Sequence, residues 1–185
     1  MGILVMILIF ICIGVDNMVS ANMSSMKLTT SNRSVFSVKL GLFFTLFNTL
    51  WYLIGYVLSG LFFHHWTLRS QNWVAFAFIL LLGIKLILES IEKSPSFSDL
   101  DASSTKKMTK VAAEIGLNSL LVGFAAETMG RSFFPQVMIL MVLSFLMSIL
   151  GFHLGKPESK TIVSKKVELV AGIILIFIAL SLIVI

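Results

Sequence analysis

The sequence predicts an all-α membrane protein of six transmembrane helices, arranged as two inverted repeats of three helices each. Three observations lead to this. The chain of 185 residues is 57% hydrophobic and only 12% charged, with a mean hydropathy of +0.99, against roughly 25% charged residues in soluble domains. Apolar stretches able to cross about 30 Å of hydrocarbon as a helix recur along the whole length. The basic residues collect after alternate stretches.

The first stretch lies near Gly2–Met23. Its apolar run ends at Val19-Ser20-Ala21, as a secretory leader would, but no positively charged region precedes it and five more spans follow, so it is read as a retained helix. The others lie near Val35–Phe63, Trp73–Ile91, Val111–Met129, Phe134–Leu154 and Val167–Ile185. The only connector of any size runs from Lys93 to Met108, with Pro95, several serines and mixed charge. It divides the chain into a first three-helix unit (1–92), a cytoplasmic linker (93–108) and a second three-helix unit (109–185), and leaves no room for a soluble domain.

Lys27, Arg33 and Lys39 follow the first span, Lys93, Lys106, Lys107 and Lys110 the third, and Lys156, Lys160, Lys165 and Lys166 the fifth. Only Arg69 and Arg131 fall on the other side. Short basic loops resist translocation, so the predicted orientation in the cell (inner) membrane has the loops after spans one, three and five in the cytoplasm and both termini outside. The net charge of +5 therefore reports topology, and nucleic-acid binding is not expected. The single cysteine, Cys12, excludes a disulfide or a multi-thiolate metal site within one chain. His64, His65 and His153 stand at no ligand spacing with carboxylates, and no nucleophile motif or phosphate-cradling loop is present, so neither an enzyme nor a resident cofactor is expected.

Glycine landmarks recur in the same order on both sides of the connector. GVDNMVSANM from Gly14 can be laid on GLNSLLVGFA from Gly116, IGYVL from Ile54 on LGFHL from Leu150, and GIKLIL from Gly83 on GIILIF from Gly172. Three spans per repeat make the second copy enter the membrane from the opposite side, an architecture in which a central site forms where the halves meet. In the second span, Gly41, Thr45, Asn48, Tyr52, Gly55 and Ser59 share one helical face, and Ser144, Ser148, Gly151 and Gly155 repeat the stripe in the fifth at an offset of 96, matching Asn48 to Ser144. Close helix packing explains the glycines and serines. Asn48 has more to offer.

Asp16, Asn48, Lys85, Glu89, Glu114 and Asn118 fall within or close to the spans, where a central Asp or Lys costs about 2.5–3.5 kcal/mol. Lys85 and Glu89, four apart toward the cytoplasmic end of the third span, are expected to pair. Glu127 and Arg131 read as an interfacial pair at the outer end of the fourth. Asp16 has no opposite charge in its own span, and its repeat partner is Asn118. Carboxylate and amide oxygens facing each other across the inversion axis suit a hard or borderline divalent cation such as Mn²⁺. A buried Asp16–Lys85 ion pair is the competing arrangement.

With these residues in view, the chain resembles the manganese efflux pump family of bacterial membrane proteins, within the superfamily that contains lysine exporters and tellurium-resistance membrane proteins. Asp16, NTLWYLIGY from Asn48, GIKLILE from Gly83 and KKVELVAG from Lys165 carry the resemblance over nearly the full length. The chain departs from it at Asn48, where the family has glutamate, at Asn118, where it has aspartate, and at Lys85, where it has arginine. Asp16-Asn17 in place of Asp-Ala is similar to the tellurium-resistance relatives. The resemblance implies a secondary transporter exporting a divalent cation, manganese in the family, by alternating access. Asp16, Asn118 and Asn48 are the expected ligands, with Asn17, Lys85, Glu89 and Ser144 in support. The expected partners are the cation as cargo, the lipid bilayer and a second copy of the chain. Two alternatives stand beside this reading: a non-transporting accessory protein with a disarmed site, and an exporter of amino acids or another small solute.

Overall fold

A computed structural model describes residues 3–26, 33–63, 68–91, 105–128, 132–155 and 162–184. They form six helices, α1 (Ile3–Met26), α2 (Arg33–Phe63), α3 (Leu68–Ile91), α4 (Thr105–Thr128), α5 (Phe133–Leu154) and α6 (Ile162–Val184). Each predicted span corresponds to one helix. Most of the connector, the histidines at 64 and 65, and the side chains of Glu127 and Arg131 lie outside the described residues.

Helices α1, α2, α3 and α5 are long and apolar enough to cross a membrane. The other two carry their charges toward their N-terminal halves: Lys106, Lys107, Lys110 and Glu114 in α4, and Lys165, Lys166 and Glu168 in α6. These helices begin at Thr105 and Ile162, ahead of the apolar stretches at Val111 and Val167. Lysine and glutamate are good helix formers, so the helix continues past the point where apolarity ends. Packing sets both beside the apolar helices, α4 along α2 and α6 along α3.

The exterior is apolar, with Leu42, Leu46, Leu50, Val142, Leu146 and Phe177 all exposed, and most polar residues along the helices turn inward. That is the arrangement expected where lipid replaces water as the surrounding solvent. Two apolar clusters fill the interior. One gathers Ile9, Phe10, Ile13, Tyr52, Ile79 and Leu175; the other gathers Leu40, Phe44, Met108, Ala112, Ile115 and Phe152. Asn48 lies between Phe44 and Tyr52 along α2, and Asn118 between Ile115 and Val122 along α4, so a polar layer separates the clusters.

The most extensive pairings are α2 with α4, α3 with α6, and α1 with α5, followed by α2 with α5. Close approach at glycine makes them possible. A Cβ on Gly55 would fall on the Leu120 carbonyl oxygen, and one on Gly151 on the Met18 backbone. A Cβ on Gly83 would lie 3.0 Å from Gly172 O, and one on Gly172 2.8 Å from Gly83 O. Gly14 abuts Met147 and Leu143 O, while Gly116 abuts Trp51 and Phe47 O. All these contacts interchange under one set of shifts, 102 residues from α1 to α4, 96 from α2 to α5 and 89 from α3 to α6.

At one end of the bundle, the Ser25 hydroxyl and the Arg33 guanidinium both donate to Gly155 O at 2.8 Å, satisfying a carbonyl at the end of α5 and tying it to α1 and α2. At the other, the Tyr52 hydroxyl donates to Gln136 Oε1. Tyr52 also continues a run of rings: Phe10 is 5.8 Å away on one side, Tyr56 lies 6.4 Å away on the other, and Phe133 follows 4.8 Å from Tyr56.

Candidate cation site

Asp16 and Asn17 are consecutive residues near the middle of α1, and Asn118 and Ser119 are consecutive residues near the middle of α4. All four are buried. Successive helix positions are rotated by about 100°, so each pair spreads two polar groups toward different neighbours. The result is two hydrogen-bond relays side by side.

In the first relay, Asn118 Nδ2 donates to Asp16 Oδ2. Its other end, Oδ1, accepts from Lys85 Nζ at 2.6 Å, and the same ammonium forms an ion pair with Glu89 Oε1 at 3.2 Å. In the second, Ser119 Oγ donates to Asn48 Oδ1 at 2.6 Å, while Asn48 Nδ2 donates to Asn17 Oδ1 at 3.0 Å and to Phe44 O at 2.9 Å. Asn17 Nδ2 and Thr45 Oγ1, beside this relay, are buried without a protein partner.

The direct Asp16–Lys85 ion pair does not form. Among the described residues, the ion pairs are Lys85–Glu89 and the more exposed Lys110–Glu114, at 3.8 Å. Asn118 stands between carboxylate and ammonium as a bridge, its amide donating to one and accepting from the other. As these side chains stand, the Asn118 oxygen that a cation would seek is held by Lys85.

The structure thus brings together Asp16, Asn118, Lys85 and Glu89 in one relay, and Asn17 and Asn48 in the other. Ser144 is buried, but its backbone carbonyl accepts the Ser148 hydroxyl at 2.7 Å and it is not joined to either relay. Two residues were missed in the sequence. Ser119 falls opposite Asn17 when Gly116 is aligned with Gly14, and that was the signal available in the sequence. Glu168 is buried at 7% exposure, and with Glu89 and Lys85 it supplies the charges that act on Asp16. It lies inside the KKVELVAG segment that carries the resemblance, just after Lys165 and Lys166, and was not singled out there.

No group of three His, Cys, Asp or Glu side chains suited to holding a metal occurs among the described residues. The acids are spread along a line instead of gathered in one shell. A cavity of about 370 Å³, lined by Lys85, Glu89, Glu114, Leu117, Asn118, Leu120 and Leu121, reaches the first relay from between α3 and α4. At about 30 Å³ per water, a divalent ion with six waters needs roughly 180 Å³ and fits within it.

Six helices with an apolar exterior, glycine-mediated contacts and ionisable residues at mid-helix define a polytopic membrane protein with a buried polar centre. Comparison with known proteins gives the family. The model of the family described as "Putative manganese efflux pump" matches residues 31–183. The chain belongs to this family. The match begins after α1, so Asp16 lies outside it.

Several relatives bear the name "Putative manganese efflux pump MntP". The one from Acetivibrio thermocellus is 31% identical over 140 residues, covering 76% of this chain and 70% of the relative. That from Desulfitobacterium hafniense is 30% identical over 141 residues, covering 76% and 73%. That from Crocosphaera subtropica is 26% identical over 142 residues, covering 77% and 74%. No solved structure matches the chain.

Proposed function

We propose that this protein exports a divalent metal cation, manganese, across the cell membrane as a secondary transporter, by alternating access of two inverted three-helix halves. The observation that carries the reading is the bond between Asp16 and Asn118. These are equivalent positions of the two halves, and they meet at mid-helix within the buried polar layer. The interchange of the glycine contacts under a single set of shifts supports the two-fold relation. Three spans per half make that relation an inversion.

The charge balance supports a cationic cargo. Three acids, Asp16, Glu89 and Glu168, stand against the ammoniums of Lys85 and Lys165, an excess of acid that favours a cation. Counting Asp16 as the lone central acid understates the attraction, because two further carboxylates act on the same region. Cargo would take a carboxylate oxygen from Asp16 and amide oxygens from Asn118 and Asn48, after Asn118 exchanges its bond to Lys85 for the ion. In the predicted orientation, Lys85, Glu89 and Glu168 lie on the cytoplasmic side of Asp16, where an exported ion loads. The run from Phe10 through Tyr52 and Tyr56 to Phe133 lies on the outer side. Rocking of one half against the other would open that side in turn.

The self-satisfied relay Lys85–Asn118–Asp16 favours a second reading, an accessory protein that keeps the fold with a disarmed centre. Manganese binding to the purified protein separates the two. Asn118→Asp adds a carboxylate at the bridge, and binding is expected to tighten by roughly tenfold or more, about 1.4 kcal/mol. No detectable manganese binding by either the native protein or the variant would favour the accessory reading.

A further inference from the structure

We propose that Glu168 and Glu89 form a second cation-binding stop, on the cytoplasmic side of the central site, where the exported divalent ion is first captured before it passes to Asp16. The inference rests on the transport reading above and gives a separate place to two acids that the reading counts only for their charge.

Glu168 is 7% exposed, and neither ion pair found among the described residues includes it. Its oxygens are not among the fully enclosed unpartnered atoms, so they keep an opening to water, and an acid set in such a crevice beside a second acid is stabilised by a cation that visits it. Fold geometry places it. Gly172, one turn further along α6, lets the helix press onto α3 so closely that its Cβ would lie 3.1 Å from Ile87 N, two residues before Glu89. In the antiparallel pair this sets Glu168 toward the Glu89 end of α3, and Glu89, Lys165 and Lys85 are the charges that act on it.

Glu89 lines the 370 Å³ cavity, so this end of the pair is reached from outside the bundle. Lys85 sits at the junction, bonded to Glu89 on one side and to Asn118 on the other. A divalent ion arriving at Glu89 and Glu168 repels that ammonium and competes for its two acceptors, and release of the Asn118 oxygen opens the way to Asp16. The repeat counterparts of Lys85, Glu89 and Glu168 are Ile174, Ile178 and Ile79 under the shift of 89 residues. The stop therefore exists on one side only, as a capture site for export requires.

The test is manganese flux through purified protein reconstituted in liposomes, with the ion supplied in turn to each face. Glu168→Gln is expected to raise the half-saturating concentration at the cytoplasmic face roughly tenfold with the maximal rate from that face kept, the outer-face ratio of maximal rate to half-saturation falling by the same factor as a reversible carrier requires, and Glu168→Asp to restore most of the loss. A merely structural role would lower the maximal rate at both faces and leave half-saturation unchanged. Native half-saturation in Glu168→Gln, with flux still abolished by Asp16→Asn, overturns the second stop and leaves the central site standing. Native flux in both variants overturns the transport reading as well. If Glu168→Gln does not yield folded protein, Glu89→Gln is measured and judged by the same criteria.

Discussion

In cells lacking a manganese exporter of their own, expression of the native protein is expected to lower accumulated manganese, and Asp16→Asn to abolish that effect. The substitution is nearly isosteric. Its amide oxygen still accepts from Asn118 Nδ2, so the hydrogen bond that joins α1 to α4 survives while the charge goes. A pair of unit charges 4 Å apart is worth about 4 kcal/mol at an effective dielectric of about 20, and a divalent ion doubles that before desolvation is subtracted. Even 4 kcal/mol is about a thousandfold in affinity. The variant should reach the membrane in native amounts, which immunoblotting checks, and fail in transport alone. Manganese levels lowered equally by both proteins would remove Asp16 from the site.

The second large effect concerns the fold. Gly151→Leu is expected to prevent assembly of the bundle, read as loss of folded protein by size-exclusion chromatography in detergent. At this position even a Cβ would coincide with the Met18 backbone of α1. Overpacking against side chains costs about 1–3 kcal/mol, and backbone cannot rotate aside, so the cost here lies at or above that range. Gly41→Ala is the control, because its Cβ would meet the Phe145 ring at 3.1 Å, and a ring can shift. Equal yields from the two variants would mean that close approach at Gly151 does not hold α1 to α5.

Much of this was legible in the sequence because a membrane imposes simple rules. Hydrocarbon thickness sets span length, so six apolar stretches gave six helices. The start of α4 at Thr105 was not legible, since apolarity marks the part of a helix that sits in lipid and is silent on its polar first turns. Glycine register was more informative than expected of such common residues. The alignments of Gly14 with Gly116, Ile54 with Leu150, and Gly83 with Gly172 follow the same shifts that interchange the helix contacts.

For the site, a charge with no partner in its own helix drew attention to Asp16, and Asn118, the residue aligned with it, is the one it bonds. The bridging role of Asn118 between Asp16 and Lys85 could not be read in advance, because it depends on which way an amide turns between two charges. Glu168 escaped for a related reason. Its burial comes from the contact of α6 with α3 at Gly172 and Gly83, a tertiary fact that the adjacent Lys165 and Lys166 do not signal. Ser144 went the other way: the repeat singled it out as the counterpart of Asn48, but the polar side chains of the two halves are not symmetric, and it joins neither relay.

The most direct measurement of the central claim is manganese movement by the purified native protein in liposomes, followed with a metal-sensitive dye. The account expects saturable flux well above that of protein-free liposomes, and none above that level with Asp16→Asn. Flux through the native protein no greater than through protein-free liposomes, under conditions where the protein is folded and inserted, would contradict it.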